Sequence, residues 1–126
     1  MDLFALNDFT INPIERVKVD TGIAIRVPKG YVGLIKEKSG LSLQGIEVKA
    51  GVLDEGYSDS VSVVLYMSDG YELDGKKRKS NEPKTFKAGQ KIAQLVVVPV
   101  SLGEIIEVDE LPESERGTGG WGSTGS

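Results

Sequence analysis

Apolar and polar residues alternate with a period of two along most of the chain. Val61, Val63, Leu65 and Met67 occupy every second position of one segment, a period typical of β-strands. Further strands are predicted at residues 17–20, 23–27, 31–36, 46–49, 91–100 and 104–108. No window of helical length shows a 3.6-residue repeat, and only a short turn is predicted at 39–43. Many short strands indicate an all-β barrel or jelly roll.

Turn-forming residues separate the predicted strands and mark the domain organisation. Residues 68–84 are polar, charged and contain Gly and Pro, which predicts an extended hairpin loop. Residues 1–115 are predicted to form one β-barrel domain, and residues 116–126 a flexible Gly-rich C-terminal arm. The stretch 95–98 is apolar at every position, so we expect one of its faces to meet a neighbouring subunit.

The composition excludes several kinds of chemistry. The 126 residues include neither cysteine nor histidine, which rules out thiol catalysis, a Ser-His-Asp triad and the common His/Cys zinc site. Proton transfer near neutral pH must therefore use a carboxylate, lysine or tyrosine. A divalent metal would be a hard ion such as magnesium, bound through oxygen atoms.

Charge and hydropathy limit the partners. The net charge is −4, and the one short basic run lies at 76–79, which makes a polymeric nucleic acid an unfavourable partner. No apolar run approaches the roughly 20 residues that span a membrane, and no secretory signal opens the sequence. We therefore expect a cytoplasmic protein without a membrane partner.

The C-terminal arm combines residue types that suit a nucleotide. An arginine pairs with phosphate, hydroxyls donate to phosphate oxygens, glycine amides wrap an anion, and a tryptophan offers a flat face to a base. The candidate contacts are Arg116, Gly120, Trp121, Gly122, Ser123 and Thr124. The alternative is a flexible tail without a ligand.

Three segments of the barrel carry further candidate chemistry, each unspecific alone. In the segment 51–57, Asp54 or Glu55 can orient an attacking water and Tyr57 can pack against a sugar or base; the alternative is an ordinary hairpin with surface carboxylates. The tripeptide 38–40 joins a cation, a hydroxyl and a flexible amide, which suits a phosphate. Gln94, a lone glutamine in a strand, is by itself typical of hydrogen-bonded packing.

The order and spacing of these segments resemble the five motifs of the trimeric dUTP diphosphatase (dUTPase) family. The matching segments, in chain order, are Met1-Asp-Leu3, Lys38-Ser-Gly-Leu41, Gly51-Val-Leu-Asp-Glu-Gly-Tyr57, Gly89-Gln-Lys-Ile-Ala-Gln-Leu95 and Arg116-Gly-Thr-Gly-Gly-Trp-Gly-Ser-Thr124. The resemblance implies a distorted jelly-roll (β-clip) barrel and a homotrimer with shared active sites. It also implies hydrolysis of dUTP to dUMP and pyrophosphate, which limits uracil in DNA and supplies dUMP for dTMP synthesis.

The resemblance assigns roles to the residues of the third motif. Asp54 would activate a water for attack on the α-phosphorus, and Tyr57 would lie under the deoxyribose, where it excludes a 2′-hydroxyl. The hairpin at 48–57, with Gly51 and Val52, would pair with the uracil edge.

The other motifs are implied to hold the triphosphate and its cofactor, Mg²⁺. Lys38, Ser39, Gly40 and Gln94 would contact the phosphates, and the arm would grip the γ-phosphate and stack Trp121 on uracil. Asp2 would lie in the outer shell of the metal.

The chain departs from the family pattern in four places, one of which is the loop 68–84, longer than in most family members. Lys38 stands where an arginine is usual, and Ser58-Asp-Ser60 follows the tyrosine where x-Gly-Glu is usual. The sequence begins inside motif one, by a natural shortening or a truncation, so we expect Asp2 to be poorly ordered unless something pins it. Two alternative functions stay open: a dCTP deaminase of the same fold, and a dUTPase-like nucleotide-gated binding or regulatory protein.

Overall fold

The computed structural model describes residues 1–71, 79–101 and 103–113. Within these residues the chain forms eleven β-strands and one four-residue helix. The strands are β1 (Asp2–Phe4), β2 (Phe9–Ile11), β3 (Arg16–Arg26), β4 (Tyr31–Lys36), β5 (Ile46–Lys49), β6 (Val52–Leu53), β7 (Ser58–Met67), β8 (Gly70–Tyr71), β9 (Lys79–Ser80), β10 (Lys84–Phe86) and β11 (Lys91–Pro99), and the helix is α1 (Ser39–Ser42).

The strands form two main antiparallel sheets. One has the order β1-β11-β4-β6 and the other β3-β7-β5, while β10 pairs with β2 and β8 with β9. Most neighbours within the sheets are distant in sequence, as in jelly rolls. The predicted all-β jelly-roll class is confirmed. No helix in the described part of the chain is long and apolar enough to cross a membrane.

Both sheets contribute to one hydrophobic core. The alternating side chains of β7 that the sequence placed on one face are all buried, with no more than 2% of any exposed. From the other sheet, Ile92, Ala93 and Leu95 of β11 and Ile35 of β4 join the same cluster. Burying each large aliphatic side chain contributes about 1.5–3 kcal/mol, so this core holds the site-bearing strands in register.

The predicted strand segments 17–20 and 23–27 are one bulged strand, β3. Its pairing with β7 shifts between Asp20 and Ala24, and Gly22 within the bulge has a φ of 72°. A Cβ at Gly22 would lie 2.9 Å from Leu6 Cδ1, so glycine suits both the backbone and the packing there.

The prediction of a strand at 104–108 is wrong. These residues form no strand in the structure, and Ile105 and Ile106 are 98% and 69% exposed. A strand needs a ladder partner, and the described part of this chain offers none beside them. The sequence also missed β1, β2, β6 and β10, which are too short to show an alternation.

The apolar stretch at 95–98 is only partly covered. Leu95 is buried, whereas Val96 and Val97, which point to opposite faces of the strand, are 44% and 46% exposed. Two adjacent strand residues of this type at the surface leave an apolar area uncovered within one chain.

Candidate functional site

The β1-β11-β4 ladder brings three sequence motifs to one end of a sheet. Asp2 lies opposite Gln94, and Gln94 lies opposite Lys36. Lys38 follows the end of β4 and precedes α1, whose first residues are Ser39 and Gly40; the amide of Leu41 donates to the Lys38 carbonyl at 2.9 Å. The predicted phosphate contacts of motifs two and four and the acid of motif one are therefore neighbours.

A cleft of about 410 Å³ opens beside these residues, and we call it the lysine cleft. It is lined by Lys38, Gly40, Leu41, Gln44, Lys84, Phe86, Gln90 and Lys91. Three lysines gather here in a chain whose net charge is −4. The cleft therefore suits a polyanion such as a polyphosphate.

Lys84 and Lys91 are two residues of this cleft that motif reasoning missed. Lys91 lies inside motif four but was overlooked beside Gln94. Lys84 donates to Gln44 Oε1, and Gln44 Nε2 donates to the Gly40 carbonyl at 2.6 Å. This relay braces the short helix that carries Ser39 and Gly40, and nothing local in the sequence signals it.

Asp2 is pinned from two sides. Its strand is anchored because the terminal ammonium of Met1 donates to the Leu95 carbonyl at 2.9 Å, and the Leu95 amide donates to the Met1 carbonyl at 2.8 Å. Its side chain is anchored by Lys91 Nζ, 2.5 Å from Asp2 Oδ2. The hydrogen bond from Lys91 lowers the pKa of Asp2 below its ordinary 3.8; weaker desolvation opposes it, while the charges of Lys91 and Lys38 add to the lowering. The carboxylate is thus fixed and ionised.

The hairpin of motif three depends on a close backbone approach at Gly51. The Ile35 amide donates to the Gly51 carbonyl at 2.7 Å, and a Cβ at Gly51 would lie 2.5 Å from the Ile35 carbonyl oxygen. Next to it, Ala50 has a φ of 51° and Val52 is 59% exposed. The hairpin therefore turns tightly and leaves Val52 at the surface.

The turn after β6 separates the acidic pair into two different environments. The Tyr57 amide donates to the Asp54 carbonyl at 3.0 Å, and Gly56 supplies the positive φ of 81° that the turn needs. Glu55 Oε2 accepts the Gly30 amide at 2.8 Å. Within the described residues no hydrogen bond or ion pair reaches the exposed Asp54 carboxylate.

The ring of Tyr57 is held in place next to this turn. It is half-buried against the core, and its hydroxyl donates to the Ser60 carbonyl. Its backbone carbonyl accepts the Val27 amide at 2.9 Å. A ring fixed at both ends can act as a rigid wall for a ligand.

Asp54 and the lysine cleft lie at opposite ends of β4. Leu53 pairs with Gly33, so Asp54 follows beside Val32, whereas the cleft lies beyond Lys36. The four-residue step from Val32 to Lys36 spans about 13 Å. A second cleft, of about 400 Å³, lies at the Asp54 end and is lined by Arg26, Val27, Pro28, Lys29, Glu55 and Gly56.

The predicted contacts of the arm, Arg116, Gly120, Trp121, Gly122, Ser123 and Thr124, lie outside the described residues. Across the ranges that are described, no three acidic side chains gather as a metal cage. Asp2 lies opposite Gln94, one of the predicted phosphate contacts.

Comparison with known proteins shows the family. The dUTPase family model matches residues 1–125. The chain belongs to the dUTPase family. It is 41% identical to the mouse deoxyuridine 5′-triphosphate nucleotidohydrolase over 125 residues, which cover 98% of this chain and 70% of the mouse protein. The predictions of the family and of a nucleotide-hydrolysing enzyme are confirmed.

Solved structures of dUTPases share the fold. The Staphylococcus bacteriophage 80alpha dUTPase with dUPNHPP superimposes with a TM-score of 0.81 at 29% identity, over 99% of this chain and 85% of the phage chain. A mutant dUTPase from phage phi11 of S. aureus, described for the coordination of a structural Mg(II) ion, has a TM-score of 0.70 at 25% identity, over 87% of this chain and 82% of its own.

Proposed function

We propose that the protein hydrolyses dUTP to dUMP and pyrophosphate, with Mg²⁺, as a homotrimer. The observation that carries this proposal is the difference between the two acids of motif three. Glu55 is occupied by the Gly30 amide, while Asp54 presents a carboxylate without a protein partner in the described structure. In a histidine-free enzyme such a carboxylate can serve as the base.

In the proposed reaction Asp54 takes a proton from a water molecule. The water oxygen forms a bond to the α-phosphorus, and the bond from that phosphorus to the oxygen bridging to the β-phosphorus breaks. Pyrophosphate leaves with the electron pair of that bond, and dUMP remains.

Selectivity for dUTP follows from the rigid parts around Asp54. The fixed Tyr57 ring would lie against the deoxyribose and leave no room for a 2′-hydroxyl. The backbone of the hairpin 48–57 would pair with uracil, and a mispaired cytosine would leave buried polar groups unsatisfied. The close approach at Gly51 keeps this hairpin tight, which would exclude the 5-methyl of thymine.

The lysine cleft would receive the phosphates. Lys38 and Gly40 line the cleft. Ser39 lies between them in the chain, and Gln94 lies opposite Lys36. One fixed carboxylate, that of Asp2, matches the way proteins hold Mg²⁺, through one or two acids, several waters and the substrate phosphates. The bound ion would neutralise charge on the leaving pyrophosphate.

The separation of Asp54 from the lysine cleft supports a shared site. A single chain places the two about 13 Å apart along β4, farther than a base and the phosphates it serves. A neighbouring subunit would bring its own lysine cleft to Asp54. The uncovered Val96 and Val97 and the exposed segment 103–113 provide apolar surface for such contacts, and the arm would close over the site from a neighbour. In a cell this activity would limit uracil in DNA and supply dUMP for dTMP synthesis.

Pyrophosphate release from dUTP, dCTP, dTTP and UTP, each with and without Mg²⁺, tests the proposal. We expect release from dUTP only, stimulated by the metal. Ammonia release from dCTP would instead indicate a deaminase of this fold. Binding of dUTP without turnover would favour a nucleotide-gated binding protein.

A further inference from the structure

Lys91 makes two contacts at the edge of the lysine cleft. Its ammonium lies 2.5 Å from Asp2 Oδ2 and 5.9 Å from the centroid of the Phe4 ring. The side chains of Lys91 and Asp2 remain 49% and 36% exposed, so both are open to a ligand in the cleft.

A bulge in the β1-β11 ladder creates this arrangement. Leu3 pairs with Ala93 but Phe4 pairs with Lys91, so Ile92 is an extra residue. Ile92 and Ala93 are both fully buried. Lys91 and Gln94, three positions apart, consequently point out of the same face, which a regular strand would not allow.

We propose that Lys91 is a positioning residue that holds the Asp2 carboxylate at the lysine cleft, with Oδ1 turned to the hydration shell of a ligand-bound divalent cation. The ion pair engages Oδ2, and within the described residues Oδ1 has no partner. The choice of ligand rests on the proposed function.

The backbone alone does not fix Asp2 in this way. β1 is three residues long and lies at the edge of its sheet, so its pairing sets the position of the Asp2 backbone but leaves its side chain free to rotate. Lys91 removes that freedom, and the Phe4 ring restricts the lysine in turn by a cation–π contact. Residues that orient the acids around a metal commonly change metal affinity 10–100-fold when they are replaced.

Lys91→Gln is the variant that tests this role, with Lys91→Arg as the conservative variant. Lys87→Gln is the matched control, since Lys87 also pairs with an aspartate, Asp8, at 2.7 Å but outside the cleft. Calorimetry measures binding of the non-hydrolysable analogue dUpNHpp over a Mg²⁺ titration and in its absence. Thermal unfolding of every variant checks the fold.

We expect Lys91→Gln to raise the half-saturating Mg²⁺ concentration about tenfold, with little change in metal-free binding. Lys91→Arg should restore the wild-type value, and Lys87→Gln should not move it. In an Asp2→Asn background, Lys91→Gln should have no further effect, because the two residues act as one unit.

Two results would overturn the positioning role. One is a Mg²⁺ dependence in Lys91→Gln equal to that of wild type. The other is an equal loss of analogue binding with and without Mg²⁺ that persists in the Asp2→Asn background, because it would mean that Lys91 contacts phosphate itself. The proposed function fails if wild type neither binds dUpNHpp nor hydrolyses dUTP. If wild type does both and one of these two results is found in the variants, only the positioning role fails.

Discussion

The Gly30 amide donates to Glu55 Oε2 at 2.8 Å, which ties the motif-three turn to the turn before β4. Glu55 is thereby a structural residue, although it is adjacent to Asp54 and has the same functional group. Residue chemistry alone left both acids open, because their difference depends on a contact across 25 residues of chain; the family resemblance pointed to Asp54.

Asp54→Asn should abolish turnover and leave dUTP binding and stability nearly unchanged. The side chain is exposed and makes no hydrogen bond or ion pair within the described residues, so its replacement removes only the proposed base. We expect kcat to fall at least about 100-fold, measured by pyrophosphate release, with the Kd for dUpNHpp preserved. A variant that keeps the wild-type kcat would contradict the water-activating role.

Glu55→Gln should produce the opposite profile. The amide keeps the shape but weakens the hydrogen bond from Gly30, so unfolding should become easier by about 1 kcal/mol, while kcat stays near wild type. Urea denaturation and steady-state kinetics measure the two effects. Complete loss of activity in a folded Glu55→Gln protein would show that the two acids had been assigned the wrong way round.

Gly51→Ala should loosen the hairpin 48–57, which is proposed to bind uracil. A Cβ at this position would lie 2.5 Å from the backbone oxygen of Ile35, so a strand must shift, at about 1–3 kcal/mol. We expect the ratio of kcat/KM for dUTP to that for dTTP to fall, because a widened hairpin admits the 5-methyl. Gly103→Ala is the control, since a Cβ at Gly103 meets nothing within 4 Å. An unchanged ratio would remove the hairpin from the selectivity argument.

The Asp8–Lys87 ion pair should stabilise the fold only above strongly acidic pH. The hydrogen bond from Lys87, followed by that from the Ala88 amide, lowers the pKa of Asp8 below 3.8. Stability from a lowered carboxyl pKa is present above the unfolded pKa and is lost as pH falls through the folded pKa. Asp8→Asn should therefore lower Tm slightly near pH 6 and converge with wild type as the pH falls through the folded pKa of Asp8. A Tm difference that persists at the lower pH would indicate a packing effect instead.

The accuracy of the strand predictions depended on the length of each strand and on the strands that pair with it. β4 and β5 have the predicted bounds, because their alternation is long enough to see and their neighbours are in the same chain. The strand expected at 104–108 is absent. Hydropathy shows that Ile105 and Ile106 are apolar, but it does not show which surface would bury them. β1 and β6 are too short for any periodicity and form only because β11 and β4 offer free edges.

The residues of the candidate site likewise fall into two groups: those that the sequence indicated and those that only the structure reveals. The family motifs pointed to Lys38, Asp54 and Gln94, whose roles stay predictions, because each motif is a contiguous segment that the sequence shows directly. Lys91 and Lys84 were missed because a bulge and a relay through Gln44 bring them to the cleft, and both depend on tertiary packing. Departures from the family pattern were also visible in the sequence, but the pinning of Asp2 by Lys91 was not.

The proposed division of the site between subunits predicts that two inactive variants complement each other. Asp54→Asn lacks the base, and Lys38→Gln weakens the lysine cleft, about 13 Å away along β4 within one chain. When the two are unfolded together in equal amounts and refolded as mixed trimers, about a quarter of the sites would combine an intact Asp54 with an intact neighbouring cleft. Pyrophosphate release should then rise well above the sum of the two separate proteins. Val97→Asp places a charge at an exposed apolar position of β11 and should give monomers in light scattering, which abolishes complementation. Ile14→Asp, on the turn after β2, should assemble normally. Activity at the level of the simple sum, from mixtures that have assembled, would place Asp54 and its phosphate contacts within one chain and end the shared-site proposal.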